Sequence, residues 1–268
     1  MIRLVVTDVD ETIVKEGSTE LNTEYFDIIR RLQEKGIVFV AASGRHISSL
    51  EVAFAPVKED IWFLSQNGSL VKKGDQIIAP HPVPYEWVRE FWQELQEIQA
   101  PGGIAYDPEY CNIPFRDDSL CQRLTQEYHC QVRVTEGWNP PSPDTIYTMI
   151  TLYHPEDAEQ FAALHLNREW QNRLQVLTAG KNWVDLVPFG NGKGPALERL
   201  CQELHIAPSQ VMAFGDNMND LSMIQFAGVG IAVDNAKPAV KAAACRVIPD
   251  YTKNGVLQEL KGLLESLD

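Results

Sequence analysis

An apolar run, Leu4-Val5-Val6, passes through Thr7 into two aspartates one residue apart, Asp8 and Asp10. A short continuous apolar run of this kind reads as a central strand buried on both faces. Alternate residues of an extended chain point the same way, so both carboxylates leave the strand end toward one spot. Two like charges that close are tolerated with a cation between them, or with one carboxylate holding a proton as an acid. A solvated turn whose aspartates cap the next element is the other reading, and D-x-D-x-T alone does not separate the two.

Strand and helix alternate from there. Asn22 is placed to cap a helix carrying Phe26, Ile29 and Leu32 inward, and Gly36 stands where that helix stops. Ile37-Val38-Phe39-Val40-Ala41-Ala42 is a second buried strand, ending in Ser43-Gly44-Arg45, and Ile61-Trp62-Phe63-Leu64 is a third, running into Ser65-Gln66-Asn67-Gly68. Lys73-Gly74-Asp75 reads as a hairpin turn. This order predicts an α/β fold with a doubly wound, mostly parallel Rossmann-like sheet, in which ligands bind beyond the carboxyl ends of the strands.

Prolines 80, 82 and 84 mark a change of texture. An aromatic amphipathic helix follows (Tyr85, Val88, Trp92, Leu95), read as core rather than as a ligand platform. A loop-rich middle, a strand from Thr145 to Tyr153, a helix from about Glu156 to Arg173 and a strand pair around Gly180-Lys181-Asn182 complete this block. From Pro188 the first texture returns. Gly192-Lys193-Gly194 opens a helix bearing Leu197, Leu200 and Leu204, and the strand Val211-Met212-Ala213-Phe214 runs into Gly215-Asp216-Asn217-Met218-Asn219-Asp220. Strands at 230–233 and 246–248 and a last helix with Val256, Leu260, Leu263 and Leu267 inward follow. The expected organisation is a catalytic core of residues 1–81 and 188–268 with an α/β lid, 82–187, inserted between them. No repeat, low-complexity tract or long linker interrupts it.

With 268 residues, 44% of them hydrophobic, the chain has ample material for such a core. Its net charge of −14 argues against a phosphate-backbone binder, which needs clustered lysine and arginine, so no nucleic-acid partner is expected. No apolar run approaches a membrane span, and Asp8 interrupts the first one too early for a signal peptide; a soluble, cytoplasmic protein with no membrane partner is expected. Cys111, Cys121, Cys130, Cys201 and Cys245 contain no C-x-x-C pair, so buried free thiols are expected rather than disulfides or a zinc site.

The motifs D-V-D-E-T, A-S-G-R, S-Q-N-G, the isolated Lys193 in G-K-G, and G-D-N-M-N-D-L-S-M, in that order, resemble the haloacid-dehalogenase-like phosphohydrolases. The match is nearest to the Cof-type branch, whose lid lies between the second and third motifs. The resemblance covers roughly residues 1 to 80 and 188 to 268; the middle is recognised by position. It implies a phosphatase of small phosphorylated metabolites, sugar phosphates being the commonest class for lidded relatives. A phosphomutase of the same superfamily and a non-catalytic phosphometabolite sensor are the alternatives; Asp10 argues against the sensor, since a pure binder needs no proton-transfer carboxylate.

Carried onto this chain, the resemblance implies Asp8 as the nucleophile that forms an aspartyl-phosphate, and Asp10 as the acid and base. It implies Mg²⁺ held by Asp8, the backbone carbonyl of Asp10 and Asp216. Ser43, Asn219, Lys193 and the amides of Val9 and Gly44 would bind the phosphoryl oxygens, Asp220 would orient metal waters or Lys193, and Thr12 would brace the first loop. Ser43 stands where the family more often has threonine and keeps the hydroxyl. Arg45 either reaches substrate or pairs with a structural carboxylate. Val233-Asp234-Asn235-Ala236 departs from the family's Met-Gly-Asn-Ala and sets an acidic residue near the cleft edge. His46 reads as solvated, with a lid-facing contact as the alternative. Oligomeric state is not legible.

Overall fold

The computed structural model describes residues 1–78, 81–116, 118–178 and 181–267. Its contacts divide it into two compact units, one of Met1–Arg45, Leu50–Ala79 and Gly192–Asp268, the other of His46–Ser49 and Pro80–Asn191. In chain order, β1 (Leu4–Asp8), α1 (Glu24–Glu34), β2 (Val38–Ala42), α2 (Ile47–Ala53), β3 (Trp62–Ser65), β4 (Leu70–Lys73) and β5 (Gln76–Ile78) come first. The second unit supplies α3 (Tyr85–Glu97), β6 (Gly102–Tyr106), β7 (Cys111–Ile113), α4 (Asp118–Gln122), β8 (Val132–Val134), β9 (Met149–Tyr153), α5 (Ala158–His165), α6 (Trp170–Arg173), β10 (Leu174–Thr178) and β11 (Trp183–Pro188). The chain ends with α7 (Lys193–Glu203), β12 (Val211–Gly215), α8 (Leu221–Phe226), β13 (Val229–Val233), α9 (Pro238–Ala243), β14 (Arg246–Ile248) and α10 (Gly255–Glu265).

The first unit is built on a sheet ordered β14-β13-β12-β1-β2-β3-β4-β5. The six strands from β14 to β3 are parallel, the inner ones with the continuous apolar sequences of strands covered on both faces, and β4 and β5 add an antiparallel edge closed by the expected turn at Gly74 and Asp75. From β1 the chain moves first toward β2 and β3, and later to the other side, toward β12 and β13. That reversal beside β1 is the switch point where a doubly wound sheet opens a crevice at its carboxyl edge. Register sets Asp8 level with Ala42, the residue before Ser43, and Thr7 level with Phe214, so Asp8, Ser43 and Asp216 emerge along one edge.

Local chemistry explains the flanking helices. Asn22 Oδ1 accepts the Glu24 amide at 3.0 Å, the cap that α1 needs, and Gly36 takes φ +75° to end it, its amide and that of Ile37 returning to Gln33 and Leu32. The buried stripe of α1 is Tyr25, Ile28, Ile29 and Leu32; Phe26, expected inward, lies beside that stripe and is partly exposed. In α10 Val256 and Leu260 are buried as expected, together with Gly255, Leu257 and Leu264, whereas Leu263 is partly exposed and Leu267 lies past the helix end, also partly exposed.

In the second unit the sheet runs β10-β11-β9-β6-β7-β8, antiparallel throughout except between β7 and β8. Alternation along its strands feeds two hydrophobic clusters. Ile150, Leu152, Val184 and Leu186 pack with Val88, Phe91, Trp92 and Leu95 of α3, so the aromatic stripe is core. Ile104, Tyr106, Met149, Tyr153 and Trp183 belong to the second cluster. Three expectations fail here. The supposedly loop-rich middle contains β6, β7, α4 and β8; β7 and β8, at three residues each, are too short for their periodicity to stand out. The strand placed at Thr145 begins at Met149. The single helix from Glu156 to Arg173 is two, because Leu166 is extended and Glu94 of α3 accepts both the Asn167 amide at 2.6 Å and the Trp170 indole N–H at 2.8 Å. The β10–β11 pair is antiparallel, while Gly180 of its expected turn lies outside the described residues. All five cysteines are free thiols, but only Cys111, Cys130 and Cys201 are buried; Cys121 is partly exposed and Cys245 exposed. No helix among the described residues is long and apolar enough to cross a membrane.

Candidate active site

Three loops at the carboxyl edge of the first unit's sheet and the first residue of α7 bring charged side chains together. Lys193, almost fully buried, places its ammonium between Asp8 Oδ1, in a very short contact, and Asp220 Oδ1 at 2.5 Å. Asp220 in turn spends its other oxygen on the backbone, accepting the amides of Asp216 at 3.0 Å and Asn217 at 2.9 Å. One carboxylate thus shapes the loop after β12 and fixes the lysine. The approach is so close that a Cβ on Gly215 would lie 2.6 Å from Asp220 Cβ, so only glycine fits there.

Asp216 sits beside this group and receives the Thr12 hydroxyl at 3.2 Å. Thr12 therefore ties the loop after β1 to the loop after β12 through its side chain. Its backbone also belongs to the curl of the first loop, where the Val9 carbonyl accepts the amides of Thr12, Ile13 and Val14. Asp8, Asp216 and Asp220 each offer a carboxylate oxygen within 4.8 Å of the others.

Burial, then the charges of Asp220 and Asp10, push Asp8 up to about 7 from an ordinary 3.8, against the pull of Lys193. Burial, then Asp8 and Asp220, push Asp216 up to about 9. For Lys193 burial works toward the neutral amine, but Asp220 and Asp8 together outweigh it and hold the charge. Three carboxylates thus share one ammonium, and the raised values mark a place short of positive charge. With Asp220 occupied by Lys193 and two amides, Asp8 and Asp216 are the side chains with lone pairs to give. An all-oxygen set of two carboxylates suits a hard divalent cation such as Mg²⁺.

Asp10 belongs to a second group. Arg45, buried, meets its carboxylate edge to edge, Nε to Oδ2 at 2.8 Å and Nη2 to Oδ1 at 2.6 Å, and also donates to the Ser18 carbonyl at 2.9 Å. The Gly17 amide and the Ser43 hydroxyl complete the contacts of Asp10, at 3.0 and 3.4 Å. Of the two readings open for Arg45, the structure has it on a carboxylate, Asp10. Ser43 Oγ also accepts the Arg45 amide at 3.1 Å, so the turn through Gly44 is closed by the hydroxyl itself. Asp234, on the segment that departs from the motif pattern, is exposed and pairs with Lys241 at 3.1 Å, while Asn235 donates to the Glu11 carbonyl at 2.7 Å.

Asn219 faces the loop after β3, its amide nitrogen donating to Asn67 Oδ1 at 2.9 Å. Gln66, Asn67 and Gly68 all have positive φ, and their loop is pinned to the end of β2 by the Gln66 and Asn67 amides, which bond the Arg45 and Ser43 carbonyls. S-Q-N-G thus buttresses two site loops at once. Sequence reasoning named this segment without giving it a role; the Asn-Gly pair, which favours left-handed backbone, was the available signal.

A family model for haloacid dehalogenase-like hydrolases matches residues 5–260. The chain belongs to that family. The haloacid dehalogenase-like hydrolase is an enzyme, a phosphoric monoester hydrolase of the Cof-type branch. It is 26% identical to the phosphoglycolate phosphatase of Methanoculleus marisnigri over 97% of this chain and 96% of that one. It is 25% identical to a pyridoxal phosphate phosphatase of Escherichia coli, with 96% of each chain covered. Among solved structures, one from Eubacterium rectale superposes with a TM-score of 0.87 at 32% identity, covering 98% of this chain and 99% of that one. A haloacid dehalogenase-like hydrolase from Bacteroides thetaiotaomicron gives 0.84 at 24% identity, covering 98% and 100%, and so shares the fold.

Proposed function

We propose that this hydrolase is a Mg²⁺-dependent phosphatase of small phosphorylated metabolites that works through an aspartyl-phosphate on Asp8. The observation that carries this reading is the Asp8–Lys193–Asp220 chain, a buried carboxylate held in place by a buried ammonium. A nucleophile must be fixed before a weakly electrophilic phosphorus reaches it, and the lysine both orients Asp8 and offers positive charge to the arriving phosphoryl oxygens. Asp8, Asp216 and the Asp10 carbonyl would hold Mg²⁺, which when bound supplies the remaining charge that lets an anionic ester approach an anionic nucleophile.

Asp8 attacks phosphorus as the ester oxygen departs; Asp10 gives that oxygen a proton and then takes one from the water that releases phosphate. Both Asp10 oxygens accept from Arg45, so one must leave the guanidinium to carry the transferred proton. Ser43, Asn219 and the amides of Val9 and Gly44 bind the phosphoryl oxygens, and Asp220 acts through Lys193.

The relatives named above act on a hydroxy-acid phosphate and a pyridine aldehyde phosphate, at nearly equal identity to this chain. What those compounds share is the phosphoryl group, and the groups assigned to the first unit recognise only that. Discrimination is therefore assigned to the inserted second unit, acting as a lid, and sugar phosphates head the panel to be tried. A screen of phosphorylated metabolites for released inorganic phosphate tests the reading, with Asp8→Asn and EDTA-treated protein as controls. Turnover that survives Asp8→Asn, or an isomerised ester in place of free phosphate, would overturn it.

A further inference from the structure

The second unit brings together three residues that lie far apart in the chain. His46, Cys111 and Cys130 are all buried, and each offers a ligand atom within 4.8 Å of the other two. Backbone pairing sets this up: the Cys111 amide, in β7, bonds the Gln131 carbonyl at 2.8 Å, and the amide of Cys130, in the turn just before β8, bonds the Leu124 carbonyl at 2.8 Å, so a strand and the segment leading into its neighbour bring the two thiols together. His46 is drawn to the same place, stacking at 23° to the Tyr106 ring, with Tyr106 directly opposite Cys111 in the sheet.

We propose that His46, Cys111 and Cys130 form a binding site for one thiophilic divalent cation of the Zn²⁺ class. Two sulfurs and an imidazole are the donor set that such an ion prefers over oxygen. Metal–sulfur and metal–nitrogen bonds of about 2.3 and 2.0 Å put the ligand atoms of a tetrahedral site about 3.5 Å apart, so small side-chain rotations close the cluster. The imidazole has an orienting partner on either side, Ser48 Oγ 2.8 Å from Nδ1 and the Asp107 carbonyl 3.0 Å from Nε2. Whichever nitrogen takes the metal, the other keeps a hydrogen bond of the kind that fixes ring and tautomer in metal sites. Burial and the neighbouring Cys130 hold the Cys111 thiol protonated without a cation. Binding releases both thiol protons to solvent as two thiolates and a neutral imidazole close on the ion. None of these ligands belongs to the acidic set of Asp8 and Asp216.

Because the ligands are buried, the ion enters as the chain folds, and the test follows that route. The full chain, unfolded and reduced, is refolded with Co²⁺ in excess Mg²⁺ and its absorption recorded. A thiolate-to-cobalt charge-transfer band with one Co²⁺ per chain is expected for the parent and for Cys245→Ser, which removes the exposed thiol, and its loss is expected in Cys130→Ser. No band, or a band that persists in Cys130→Ser, would overturn the site. So would counting three thiols rather than five in the unfolded, unreduced chain, since that means a Cys111–Cys130 disulfide. Should Cys130→Ser not refold, the melting temperature of the parent decides: Zn²⁺ must raise it when present during refolding, and no rise rejects the proposal.

Discussion

The Arg45 guanidinium grips both oxygens of the Asp10 carboxylate, at 2.8 and 2.6 Å, from a position where its own side chain is 2% exposed. A planar fork on a planar acceptor fixes the carboxylate in rotation as well as position, which a lysine ammonium cannot do. Asp10 is thereby aimed before substrate arrives.

Arg45→Lys should therefore keep charge and fold but lower kcat by about 10²-fold, the penalty of a reacting group displaced by about an ångström. KM should change little. Steady-state kinetics with a circular-dichroism control measures this, and an unchanged kcat would remove Arg45 as the positioning residue of Asp10.

Asp10→Asn should slow alkyl phosphates by about 10²–10⁴-fold, the usual range for a lost general acid. An aryl phosphate with an acidic leaving group departs without protonation and should be hurt far less. Measuring both substrates on one preparation decides; equal losses would mean that Asp10 does not protonate the leaving group.

Lys193→Met should abolish turnover and also destabilise the fold, since it leaves Asp8 and Asp220 buried without their shared cation. Breaking a buried pair costs about 3–5 kcal/mol when the remaining charge persists. The carboxylates escape part of that by taking up protons, so the loss of melting temperature should be smaller at pH 5.5 than at pH 8. A deficit independent of pH would contradict the charge argument.

The metal-free protein should lose stability as pH rises. Asp8 and Asp216 titrate near 3.8 when unfolded but are pushed up to about 7 and about 9 when folded. Between those values the folded state binds more protons, so their contribution is fully present below about pH 4 and is lost as pH climbs through 7 and 9. A cation favours the ionised forms and reverses this, so Mg²⁺ should raise the melting temperature more at pH 8.5 than at pH 5.5. Asp216→Asn should reduce that difference. Equal Mg²⁺ effects at both pH values would show that these carboxylates are not where the ion binds.

Much of this protein was legible in the chain because its first unit is dominated by local signals. Strands buried on both faces are written as continuous apolar runs, and a parallel sheet can only present its strand ends at one edge. Reading 4–6, 37–42 and 211–214 as such strands already forces Asp8, Ser43 and Asp216 to the same edge. The motifs around them then carried the family. The second unit was read less well, since strands of three residues such as Cys111–Ile113 have no measurable period, and the break at Leu166 depends on Glu94, more than seventy residues earlier in the chain.

What only the tertiary structure decided is the pairing of charges. Nothing in the spacing of Arg45 says that it meets Asp10 rather than substrate, nor that Thr12 reaches Asp216 or that Asn67 supports Asn219. These are contacts between loops at the ends of different strands, set by sheet order and register. His46, Cys111 and Cys130 make the same point. Cysteines nineteen residues apart resemble no metal motif, yet the pairing of β7 with β8 sets Cys111 opposite Val132 and so brings Cys130, two residues before it, close by, and the histidine arrives from another part of the chain. Periodicity records which face of an element is buried; which polar groups meet across faces depends on the packed fold, where distance along the chain no longer measures separation.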